Sequence, residues 1–198
     1  MTGVQTCALP IYFDRIRPLL TWSSPVIYHL QILQRSKDGH DKASRLIAEW
    51  FITSERQFDF LRPAIVSLCN EYSARAYINL NGKRPESVIY KMLEGLVERI
   101  KNKTYNPLNL LASSVAQCNS NFKVWIIDVD NAEYDLNLIC SRIEQCRSGM
   151  TKNVIDILET VNGYHILTCP FNLQEFTKEG FEDITIHKNN PTVLYATL

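Results

Sequence analysis

Short apolar runs with a two-residue alternation, each closed by turn residues, recur along the whole chain and limit its fold more than any other feature. Residues 26–34 and 45–52 are two such runs, separated by Lys37-Asp38-Gly39, and they read as a hairpin. Residues 74–80 alternate and stop at Asn81-Gly82. Residues 123–130 form an apolar strand that ends in two aspartates. Residues 154–158 and 164–168 flank Asn162-Gly163, which is strong hairpin-turn chemistry. Residues 183–187 and 192–195 read as a final strand pair across Lys188-Asn189-Asn190-Pro191.

Helical patterns lie between these runs. Ser54 followed by Gln57 is a capping-box signature, and the helix it starts carries Phe58, Leu61, Ile65, Leu68 and Tyr72 on one face. Pro63 is expected to bend or split that helix. Pro85 suits the first turn of a second helix, with Val88, Ile89, Met92, Leu96, Val97 and Ile100 on one apolar face. Residues 105–121 fit either a short helix or an ordered loop. Residues 133–147 predict a helix with Leu136, Ile139 and Ile143 inward, and 173–178 a shorter one. Strands joined by hairpins, with helices interspersed, predict the α+β class: an antiparallel-dominated sheet with helices packed on it. No repeat or linker interrupts the chain. Residues 12–198 therefore read as a single α+β domain, with a hairpin and helix in 26–72 and a candidate catalytic core in 74–198.

The first eleven residues stand apart. Met1-Thr2-Gly3-Val4-Gln5-Thr6-Cys7-Ala8-Leu9-Pro10-Ile11 resembles the in-frame translation of a sequencing-adapter oligonucleotide. It has neither the basic start nor the apolar stretch of a signal peptide, so residues 1–11 are expected to be non-native, with the natural start missing. A cut at the C-terminus stays open as well. With 45% hydrophobic and 21% charged residues the remainder is an ordinary globular composition. No run reaches the ~20 apolar residues of a membrane helix. The cysteines form no CxxC pair and no zinc spacing, so they read as reduced, mostly buried thiols of a cytoplasmic protein.

A formal net charge of zero argues against coating nucleic acid by bulk electrostatics. Lys83 with Arg84, and Lys101 with Lys103, read as solvated helix ends. Trp50, Phe51, Tyr72 and Tyr77 fit a core better than a base-stacking platform.

One constellation carries chemistry. Asp128 and Asp130 are two apart in a strand and project to the same face, where their mutual repulsion calls for a cation. Mg²⁺ suits such a pair, because it is commonly held by one or two carboxylates plus substrate phosphates. His165 follows Gly163 on the next hairpin. It reads either as a core histidine bonded to a backbone carbonyl or as a donor into the carboxylate site.

The order of these motifs resembles the archaeo-eukaryotic primase superfamily, which includes the primase-polymerases. The first motif is Trp125-Ile126-Ile127-Asp128-Val129-Asp130 and the second is Val161-Asn162-Gly163-Tyr164-His165. The resemblance covers about residues 74–198. It implies an RRM-like primase-polymerase core, with the aspartates binding catalytic Mg²⁺ or Mn²⁺ and His165 contacting the incoming nucleotide. It implies nucleoside triphosphates and a single-stranded DNA template as partners, together with a helicase or other replication protein and no membrane. The family's third motif is a further metal-binding aspartate, for which Asp183 is the candidate. If the strand read at 183–187 begins later than Asp183, only two carboxylates remain. Arg75 and Lys188 are candidates to hold the triphosphate, and Arg75 suits a strand-face ion pair equally well. The function so implied is a divalent-metal-dependent nucleotidyltransferase. Two alternatives stay open: a non-catalytic α+β protein of a phage or mobile element, and a metal-dependent nuclease.

Overall fold

The computed structural model describes residues 12–36, 43–120, 122–130, 134–160, 163–178, 181 and 184–196. In chain order their elements are α1 (Phe13–Ile16), β1 (Tyr28–Gln34), β2 (Arg45–Ile52), α2 (Glu55–Tyr72), β3 (Arg75–Ile78), α3 (Pro85–Lys101), α4 (Leu110–Gln117), β4 (Trp125–Val129), α5 (Leu136–Gln145), β5 (Val154–Glu159), β6 (Tyr164–Thr168), α6 (Leu173–Thr177), β7 (Thr185–His187) and β8 (Thr192–Ala196). The fold is α+β, with two four-stranded antiparallel sheets. The adapter-like residues 1–11, Lys37-Asp38-Gly39, Val161, Asn162 and Asp183 lie outside the described residues.

The first sheet has the order β2-β1-β3-β8. Alternation in β1 buries Tyr28, Leu30 and Ile32. Helix α2 contributes Phe58, Ile65 and Cys69 to the same apolar cluster. Its start is capped as the sequence predicts: Gln57 N donates to Ser54 Oγ at 3.2 Å. The return bond lands one residue upstream, with Thr53 N donating to Gln57 Oε1 at 2.9 Å. Pro63 is accommodated inside a helix that runs unbroken from Glu55 to Tyr72. Phe13 of α1 packs against Phe58 with ring centroids 5.7 Å apart, and Arg62 stacks over the Phe13 ring.

The second sheet has the order β5-β6-β4-β7 and is built from a continuous β4-α5-β5-β6-α6-β7 run. This is a βαββαβ unit of the split-βαβ kind. Its two faces are different. Ile127, Val129 and Ile166 turn toward α5 and α6, where they meet Ile139, Ile143 and Phe176. Ile126, Leu158 and Leu167 turn the other way and join the cluster of Leu30, Ile32 and Leu194 from the first sheet. The two sheets are therefore fastened through a shared core, and β3 and β8 tie the segment after residue 74 into the sheet of the N-terminal hairpin.

Three expectations need correction. The last two strands do not pair with each other: β7 pairs with β4 and β8 with β3. The reason is the intervening segment, which is pinned from outside. Asn79 Nδ2 donates to Asn189 O at 3.0 Å, and Asn81 Nδ2 donates to Lys188 O at 3.2 Å, so the chain crosses between sheets. Helix α3 does not bury the predicted face. Val88 is its buried residue, while Ile89, Leu93, Val97 and Ile100 are exposed, because α3 packs on α4 rather than on a sheet. The close approach of that pair is set at Gly95, where a Cβ would lie 2.7 Å from Leu110 Cδ1. Lys83, expected in solvent, is buried. The region left open between helix and loop contains α4. Among the described residues no helix is long and apolar enough to cross a membrane.

Candidate functional site

The site follows from strand register. Asp128 sits on the face of β4 opposite Ile127 and Val129, and its cross-strand partner on β6 is His165. Residues directly opposed in an antiparallel pair share a face at close range. His165 Nε2 accordingly lies 3.4 Å from Asp128 Oδ1. On the other flank β7 opposes Ile126 with His187, one step diagonal to Asp128, and brings His187 Nε2 to 3.7 Å from Asp128 Oδ2. The carboxylate is thus bracketed by two imidazoles.

Each imidazole is held at its far side. His165 Nδ1 lies 3.4 Å from Thr192 Oγ1, on β8 of the first sheet. His187 Nδ1 lies 2.9 Å from Asn190 Nδ2.

Asp128 is mostly sheltered, with 23% of its side chain exposed. Its Oδ1 is buried, and no donor among the described residues meets it with hydrogen-bond geometry. The His165 imidazole beside it holds the Asp128 carboxyl below the ordinary carboxylate range; burial opposes this, and the charges of His165 and His187 reinforce it. Asp130 stands one residue past the strand end and is exposed.

Gly163 allows the two motifs to meet. A Cβ there would lie 1.8 Å from Val129 O and 3.2 Å from Asp130 Cα. Only a residue without a side chain lets the start of β6 run so close to the end of β4.

These groups open into a cleft of about 400 Å³ between the sheets. Arg35, Arg75 and Tyr77 from the first sheet line it across from Asp128, Asp130 and His165. Arg35 Nη1 donates to Tyr77 Oη at 3.2 Å, which holds that guanidinium at the cleft. Of the residues singled out in the sequence, Asp128, Asp130, His165 and Arg75 are brought together. Lys188 is not among them. It lies just past the end of β7, its Nζ stands 5.2 Å over the Trp125 ring, and it lines a different cavity.

His187, Arg35 and Tyr77 were missed as site residues. His187 forms no metal-ligand spacing with another histidine, so nothing in the sequence marks it. Arg35 lies just beyond β1, with nothing local to mark it.

Among the described residues no group of three or more His, Cys, Asp or Glu side chains is arranged to hold a metal ion. What is present is one sheltered carboxylate with an unsatisfied oxygen and one exposed carboxylate two residues on. Such a pair fits a hard cation whose remaining ligands are water and substrate phosphate. No protein-family model, no curated protein and no solved structure matches the chain.

Proposed function

We propose that the cleft is a nucleotidyl-transfer site of the primase-polymerase type, using Mg²⁺ or Mn²⁺, nucleoside triphosphates and a single-stranded DNA template. The observation that carries this reading is the register of Asp128 against His165 at the mouth of a cleft whose opposite wall is cationic. The βαββαβ sheet order also suits the RRM-like core that the motif order implies.

Asp128 and Asp130 would hold a divalent cation, which would neutralise charge at the reacting phosphate and activate the attacking 3′-hydroxyl. The protein's own residues do the rest. Arg35 and Arg75 line the same cleft as the carboxylates, and their guanidinium groups suit an anionic triphosphate. His165 Nε2 donates to a phosphate oxygen once the nucleotide competes with Asp128 for it. Thr192 and Asn190 keep the two imidazoles oriented.

The test is metal-dependent primer synthesis and extension on single-stranded DNA. The double variant Asp128→Asn plus Asp130→Asn is expected to lose activity by on the order of 10²–10³-fold. Unchanged activity in that variant would refute the reading. Degradation of a labelled strand without added nucleotides would instead assign the same carboxylates to a nuclease.

A further inference from the structure

Lys83 lies in the connection between β3 and α3 with only 3% of its surface exposed. Its burial is imposed by the backbone. Lys83 N donates to Ile27 O at 2.9 Å and Ile27 N donates to Lys83 O at 2.8 Å, so the residue is clamped against the chain just before β1. Its Nζ donates to one neutral acceptor, Asn189 Oδ1, at 3.1 Å. An ammonium has three protons to place, and Lys83 forms no ion pair among the described residues. Burial, aided by Lys123, pushes the Lys83 ammonium below the ordinary lysine range, and Cys118 acts against this.

Lys83 lines a cavity of about 450 Å³ together with Lys123 and Lys188. Gln117, Asn119 and Ser120 add uncharged polar groups to the wall. No Asp or Glu among the described residues lines it. Lys188 is steadied there by Trp125, and Asn189 by Asn79, Asn81 and Lys83. Three ammonium groups around one cavity without a counter-charge repel one another, and Lys83 is buried among them with a neutral acceptor in place of a counter-charge. An anion that accepts several donors at once removes both penalties, and lysines bind phosphate in this way as point charges.

We propose that the cavity between Lys83, Lys123 and Lys188 is a phosphate-binding site, taking a phosphate group of a nucleic-acid strand or of a free nucleotide. It is separate from the Asp128 cleft. The two cavities share no lining residue, and the β7–β8 connection divides them, with Lys188 and Asn189 on one side and Asn190 and Pro191 on the other. The proposal does not depend on the nucleotidyl-transfer reading.

The experiment is titration of the full chain, without divalent ions, against inorganic phosphate, ATP and a fluorescein-labelled oligothymidylate. Lys123 and Lys188 are exposed, so Lys123→Gln plus Lys188→Gln is expected to fold, whereas the buried Lys83→Met serves as a second variant. The double variant should bind the phosphate-bearing probe about tenfold or more weakly. For the oligothymidylate, the slope of log K against log salt should shrink by about 1.4, the value for two lost phosphate contacts on a single strand. Displacement of the oligothymidylate by ATP would assign the site to free nucleotides, and its absence would assign it to the strand backbone. Asp128→Asn should leave this binding in place. Three results would overturn the proposal: no binding of any probe by the unmodified protein, equal affinity in the double variant for all three, or loss of binding in Asp128→Asn alone.

Discussion

Replacing Gly163 by alanine tests the packing on which the site depends. The added Cβ would sit 1.8 Å from Val129 O, whereas Cβ atoms essentially never come within 3.0 Å of another heavy atom. The chain must open by more than about 1 Å to accept it, and the obstacle is a carbonyl of β4 rather than the tip of a flexible side chain. Overpacking of this kind costs about 1–3 kcal/mol, and a backbone obstacle places it at the upper end. A loss near 3 kcal/mol lowers the melting temperature of a chain this size by roughly 6–12 °C. Gly149→Ala is the matched control, because a Cβ there meets nothing within 4 Å. It should change stability by less than about 0.5 kcal/mol. Thermal and urea unfolding followed by circular dichroism measure both. Equal stability of the two variants would refute the claim that β6 and β4 meet too closely for any side chain at residue 163.

Acid should weaken the fold partly through Asp128. Its folded-state carboxyl is held below the ordinary value of 3.8, so its stabilisation is complete above that value and is lost as pH falls through the lower, folded-state one. Asp128→Asn should therefore flatten the fall in stability at acid pH, and an unchanged fall in urea titrations would refute this. Asn81 is 3% exposed and joins three points: its Nδ2 donates to Val124 O and Lys188 O, and its Oδ1 accepts from Val124 N. Asn81→Leu should cost about 3 kcal/mol in chemical denaturation, since it strands buried backbone groups, and a loss under about 1 kcal/mol would refute the bridging role. Cys69 is buried, with its thiol pushed up to about 12. Iodoacetamide at mildly alkaline pH should leave it unmodified in the folded protein and label it after denaturation, as read by mass spectrometry.

The elements that could be read in advance are those whose signals are local. The capping box before α2 and the alternation of β1 each depend on neighbours a few residues away. The pairing of strands does not. Nothing within residues 183–195 shows that β7 and β8 belong to different sheets, because the crossing is enforced by Asn79 and Asn81, more than a hundred residues upstream. The same holds for α3, whose apolar stripe reads as core from periodicity alone, yet its packing partner is the short α4. Lys83 is the sharpest case. A lysine beside Arg84 before a proline looks solvated, and only its backbone clamp to Ile27 makes it buried.

The two aspartates, alike in sequence, are unequal in the folded chain. Asp130 is exposed past the end of β4, so its orientation can adapt to whatever it binds. Asp128 is flanked on both sides by histidines of its own sheet, one of which is held from the other sheet. His165 and His187 belong to the second sheet, but Thr192 beside His165 belongs to β8 of the first. The cationic wall opposite, Arg35 and Arg75, is also supplied by the first sheet. Residues 74–198 alone therefore do not contain the whole site. Arg35 and Leu33 enter the cleft from β1 and its end, and β1 stands between β2 and β3 in the sheet that also holds β8. The β1 strand and the residue just beyond it are part of the site's construction.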